Sequence, residues 1–130
     1  MIKLKNEVFD NEEFSKGLEK LYNNESLDSV TTYKIANLFQ VIGDKSFAFF
    51  EAKVKLLKQN GKVDPGDANA RKWVINEDKY EEFVEGMRNL HNIEIELNVD
   101  LIPYDEKMKL SGGQMNALRG ILDFSELQNR

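Results

Sequence analysis

The sequence predicts an α+β fold: one long central helix, about three shorter helices and a small, mostly antiparallel sheet. Three observations predict it. A proline-free stretch from about Ser29 to Asn60 carries apolar residues at helical spacing and stops at Gly61. Shorter stretches around Phe14, Phe83 and Met115 show the same period. Two runs, Ile2 to Lys5 and Ile93 to Leu97, alternate apolar and charged residues, as a half-buried strand does. The 130 residues suit a single domain, 1–130, with no linker long enough to divide them.

Ile2 to Lys5 reads as a short strand. Asp10 then caps a first helix, with Glu13 three residues on completing a capping box. Phe14, Leu18 and Leu21 give that helix one buried face, and Asn23-Asn24-Glu25-Ser26 ends it. Asp28 or Ser29 caps the central helix. If continuous, it is about 48 Å long at about 1.5 Å per residue. A compact domain of this size has a radius of gyration of only about 14 Å. The helix is therefore expected to project beyond its domain or to break. Its weakest point is Gly43-Asp44, because glycine costs about 1 kcal/mol in a helix interior.

The apolar residues of this helix form two neighbouring stripes. One is Ile35, Leu38, Ile42, Phe49 and Leu56; the other is Ala36, Phe39, Phe47, Phe50, Val54 and Leu57. A single stripe suits a helix lying on its own core, and two suggest contact on two sides. Phe39, Phe47, Phe49 and Phe50 are the candidate partner interface. Phe49 and Phe50 point about 100° apart on a helix, so at least one is expected to face a partner.

Asp64-Pro65-Gly66-Asp67 signals a turn, and Lys72 to Ile75 a short strand. Asn76 or Glu77 begins a third helix carrying Tyr80, Phe83, Val84, Met87 and Leu90. The strand Ile93 to Leu97 follows. Its Glu94 and Glu96 match Lys3 and Lys5 of the first strand in charge, so the two strands are expected to pair. Opposite charges across strands are worth about 0.2–1 kcal/mol. Leu101-Ile102-Pro103 is extended, since proline disfavours helix before it. Ser111 opens a last helix with Met115, Leu118, Ile121 and Leu122 inward.

Composition narrows the chemistry. The chain is 41% hydrophobic and 32% charged, a globular balance. There is no cysteine, which excludes disulfides, thiolate metal sites and cysteine nucleophiles. The net charge of −5 is dispersed, and the one basic cluster, Lys53, Lys55 and Lys58, reads as a solvated helix face. Nucleic acid is not an expected partner. His91 is the sole histidine, so paired-histidine zinc motifs cannot form; it reads as a helix-ending residue. Asp64, Asp67 and Asn69 lack the spacing of a calcium loop. Glu94 and Glu96 share the solvent face of a strand, a poor setting for paired-carboxylate catalysis.

Leu110-Ser111-Gly112-Gly113-Gln114 spells the signature loop of ABC-transporter ATPases. No phosphate-cradling G-x-x-x-x-G-K-[ST] string accompanies it, and Ser111 with Gln114 explains it as a capping box. The expectation is therefore no catalytic residue, no cofactor and no metal. No window reaches the ~18 apolar residues of a membrane span, and the N-terminus lacks the apolar core of a signal peptide. The expected place is the host cytoplasm or the virion, for the following reason.

Thr32-Tyr33-Lys34-Ile35-Ala36-Asn37-Leu38 leads into Phe50-Glu51-Ala52-Lys53-Val54-Lys55-Leu56-Leu57-Lys58-Gln59-Asn60-Gly61. A turn, a short strand, the helix around Phe83, the strand Ile93 to Leu97 and Leu110-Ser111 follow in order. This arrangement, over roughly residues 30 to 125, resembles an uncharacterised family of small tailed-phage proteins often encoded near structural genes. The family has no established activity to carry over. The resemblance implies a phage context and a role in virion structure or assembly, with a protein partner: either itself, as a homo-oligomer, or another phage protein. The alternative is a small acidic inhibitor that binds a host enzyme such as a nuclease or polymerase.

Overall fold

Strand β1 (Ile2–Lys5) pairs antiparallel with β4 (Glu94–Leu97) in the computed structural model, which describes residues 1–66 and 72–125. The register sets Ile2 opposite Leu97, Lys3 opposite Glu96 and Lys5 opposite Glu94, the charge pairing expected from the alternation. Ile2 and Leu97 are buried, while Lys3 Nζ lies 3.9 Å from Glu96 Oε1 in solvent. That exposed contact contributes little; the buried face holds the ladder in place.

After β1 a 3-10 turn, Asn6–Asp10, tucks Phe9 into the core. Helix α1 (Glu12–Tyr22) follows and buries Phe14, Leu18 and Leu21 as expected. Its cap is Asn11 and not Asp10. Asn11 Oδ1 accepts the Glu13 N–H at 3.0 Å and the Phe14 N–H at 3.3 Å. Both residue types cap helices well. What separates them is that the Asp10 carboxylate is taken up by two residues distant in sequence, Lys53 and His91.

Helix α2 (Ser29–Asn60) runs unbroken through Gly43-Asp44. Asp28 caps it, accepting the Thr31 N–H at 2.8 Å and the Thr31 hydroxyl at 3.0 Å. The expected weak point holds because buried side chains flank it, Leu38 and Ile42 before and Phe49 after. Each contributes about 1.5–3 kcal/mol of burial, more than the cost of glycine. At Gly61 the chain passes straight into β2 (Gly61–Val63), antiparallel to β3 (Trp73–Ile75). The Asn76 N–H donates to the Asn60 carbonyl at 2.8 Å, closing the junction. Asp64 Oδ1 accepts the Gly66 N–H at 2.9 Å and starts the expected turn. Asp67 and Asn69 lie outside the described residues.

A 3-10 turn, Glu77–Lys79, leads into α3 (Tyr80–His91), which lays Phe83, Val84, Met87 and Leu90 half-buried toward the body of the protein. Beyond β4, strand β5 (Ile102–Pro103) pairs in parallel with β6 (Leu122–Asp123), Ile102 opposite Leu122. Helix α4 (Gly112–Ala117) between them is short. Ile121 and Leu122 are buried, but in the turn and strand after α4 and not on its inner face. Their spacing fits a helix as well as it fits this; the strand requires Ile102, far back in the chain, as partner.

The fold is α+β, with one long helix and three shorter α-helices among the described residues. Its strands form three separate two-stranded ladders, two antiparallel and one parallel. One cluster of buried residues, from Ile2 to Leu122, joins β1, α1, α2, β4, β5 and β6.

Candidate interaction face

The two stripes on α2 meet different fates. Ile35, Leu38, Ile42 and Phe49 are buried, and Leu56 is half-buried. Ala36, Phe39, Phe47, Phe50 and Val54 are exposed, and Leu57 is half-buried. Helices α1 and α3, with the turn around Phe9 and strands β4 and β5, cover the first stripe and leave most of the second exposed.

The four candidate phenylalanines divide accordingly. Phe47 is 70% exposed, Phe50 43% and Phe39 38%. Phe49 is 2% exposed and packs on Phe9 with ring centroids 5.8 Å apart. Phe49 is thus a core residue and does not belong to the open face. Phe50 meets Phe49 edge-on at 5.2 Å, and Tyr22 of α1 lies over Phe39 at 4.5 Å. Lys53 Nζ sits 5.9 Å from the centre of the Phe50 ring, within cation–π range. Between Phe39 and Phe50, α1 and α2 diverge over Gly43. They leave an apolar cleft of about 220 Å³ floored by Phe14, Leu18 and Ile42.

Beside this face lies a polar knot. Asp10 accepts from Lys53 Nζ at 2.9 Å and meets His91 Nε2 at 2.7 Å. It ties the turn before α1 to α2 and to the end of α3. Burial raises the Asp10 carboxyl, but the hydrogen bonds from His91 and Lys53, with their charges, outweigh it and leave the group below its ordinary value. Asp10 and His91 are distant in sequence, and no local pattern marks them as partners. Lys53 belongs to the cluster read as a solvated face, yet its side chain is mostly covered.

The Leu110 to Gln114 run forms a helix start, as expected. Ser111 Oγ accepts the Gln114 N–H at 3.1 Å, and Gln114 Oε1 accepts the Ser111 N–H at 2.9 Å. Glu94 and Glu96 stand on the solvent side of the ladder opposite Lys5 and Lys3. Among the described residues, no three His, Asp or Glu side chains converge to hold a metal ion, and no helix is long and apolar enough to cross a membrane. No family model, curated protein or solved structure matches the chain.

Proposed function

We propose that this protein is a protein–protein interaction module that uses the bare stripe of α2, and that it serves a tailed phage as a virion structural or assembly component. The observation that carries the interaction role is the line of Phe39, Phe47 and Phe50 along one exposed helix side. Contiguous apolar patches on soluble proteins mark interaction sites when polar residues rim them. Gln40, Asp44 and Glu51 supply that rim on one side. The phage setting is supported by the family resemblance over residues 30 to 125. Its place of action is then the host cytoplasm or the virion.

Mass spectrometry of purified particles of the encoding phage tests this role. Stoichiometric amounts, lost from particles made with Phe47→Ser, are expected. A second reading is supported by the exposed Glu81, Glu82 and Glu85 on α3, which offer carboxylates to a basic groove. On that reading the protein is an inhibitor of a host nuclease or polymerase. Absence from particles, together with binding to such an enzyme that charge reversal on α3 abolishes, would favour it instead.

A further inference from the structure

We propose that the cleft between α2, α3 and β4 binds a small monocarboxylic acid with an apolar body, its carboxylate held by the Asn6 amide and the Lys45 ammonium. Ala52 on this side of α2 stands five residues from Phe47, about 140° round the helix. An occupant here therefore leaves the exposed phenylalanines free, and the two sites stand or fall separately.

Asn6 is 7% exposed, where β1 gives way to the 3-10 turn. Its backbone N–H donates to the Ile93 carbonyl at 3.0 Å, but its side-chain amide bonds no other described residue. Burying an amide without a partner costs stability. Among the described residues, no side-chain nitrogen or oxygen is both sealed from solvent and unpartnered. The Asn6 amide therefore opens on the cleft it lines, a space of about 260 Å³. Phe49, Leu90, Ile93 and Ile95 form apolar walls, and Ile93 is left 48% exposed. Past Ala52, Leu90 and Ile93 the cleft runs into a shallower trough of about 470 Å³ between α2 and α3. A mostly apolar space of roughly 300–1,000 Å³ with a few polar groups is what small-molecule sites offer.

Charge selects the ligand's polar group. Among the described residues, Lys45 is the one charged side chain lining the cleft, and Lys55 the one lining the trough. Neither forms an ion pair with another described residue. No acid lines either space, although the chain carries −5. An amide N–H and an ammonium are both donors, and a carboxylate accepts from both. Asn6 and Lys45 line the cleft and not the trough, so the carboxylate sits at the cleft end and the apolar body runs along Leu90 and Ile93. A multiply charged anion such as phosphate would lose its hydration to apolar walls with one cation in return.

Sodium octanoate, kept below its micelle concentration, is the probe. Titrated into the isotope-labelled full chain, it is expected to shift the NMR signals of the Asn6 side-chain amide and of the Ile93 and Ile95 backbone amides in a saturable way. Octanol, with the same tail and no charge, should bind about tenfold more weakly. Lys45→Gln, at an exposed position, should weaken octanoate several-fold and leave octanol unchanged. Asn6→Leu separates a ligand group from a structural one. It keeps the backbone bond to Ile93, and the fold gives its amide no partner to lose. It is therefore expected to abolish the octanoate shifts while unfolding at a urea concentration no lower than the wild type. A lower urea midpoint for Asn6→Leu would show that the amide serves the fold. That result overturns the proposal, as do octanoate shifts that are absent or survive Asn6→Leu, and octanol that binds as tightly as octanoate.

Discussion

His91 stacks along Phe49, with ring centroids 5.8 Å apart and planes 27° from parallel. Its Nε2 meets Asp10 at 2.7 Å, so one imidazole joins the aromatic core to a surface ion pair. The Asp10 carboxyl is held below its ordinary value of 3.8. A depressed carboxyl stabilises the fold above its unfolded value and loses that contribution as pH falls through its folded value. Asp10→Asn is therefore expected to lower stability at neutral pH by roughly 0.5–1 kcal/mol. The deficit should shrink as the pH falls below about 4. Thermal melts of both proteins across that range check it; a deficit that does not change with pH would contradict it.

Phe47 and Phe49 are two residues apart and should answer to truncation in opposite ways. Phe49→Ala empties a packed site, and the expected cost is about 3–5 kcal/mol. Phe47→Ser touches a ring already in water, and should change monomer stability by no more than about 0.5 kcal/mol. Urea unfolding, at a concentration too low for self-association, measures both. Similar costs at the two positions would mean that the stripes are not divided between core and surface.

Two glycines give a second contrast. A methyl group at Gly43 has open space around it, so Gly43→Ala should stabilise the monomer by about 0.5–1 kcal/mol through helix propensity. A methyl group at Gly17 would lie 2.7 Å from Leu118 Cδ1, in the packed contact between α1 and α4. Leu118 is fully buried and its Cγ, at 3.1 Å, would have to shift with Cδ1, so Gly17→Ala should cost about 1–3 kcal/mol despite the gain in propensity. Denaturant melts that shift in the same direction would refute the contrast.

Ser111 makes a reciprocal cap with Gln114. Ser111→Ala is expected to cost about 1 kcal/mol. Calorimetry with ATP and magnesium is expected to show no binding by either protein. Saturable binding lost in Ser111→Ala would restore the nucleotide reading of this loop.

The features legible in the sequence were those carried by near neighbours. Phe14, Leu18 and Leu21 report one helix face because helical turns place them together. The pairing of β1 with β4 was legible too, because Lys3 and Lys5 alternate in phase with Glu94 and Glu96. The split between stripes was visible as a pattern, but which stripe stays bare depends on where α1 and α3 lie. Phe49 shows the limit: its ring is covered by Phe9 and His91, neither of them near it in sequence. The cap at Asn11 fails for the same reason, since Asp10 is claimed by Lys53 and His91. Leu122 fits a helical spacing because a two-residue parallel strand leaves no periodicity to read.

The pairing of β1 with β4 also sets an order of events during synthesis. About 90 residues separate Lys5 from Glu94, and ribosomes add roughly 5–20 residues per second. The first strand therefore waits some seconds for its partner to emerge. In the last third or so of that interval α2 is complete, but His91 and the rest of α3 have yet to arrive. Phe49 then has Phe9 to pack on but lacks His91, and the nascent chain shows part of the inner stripe as well as the outer one. Any message truncated between Asn60 and Glu94 would freeze that state, yielding a sticky fragment for chaperones and proteases where the finished chain yields a folded protein.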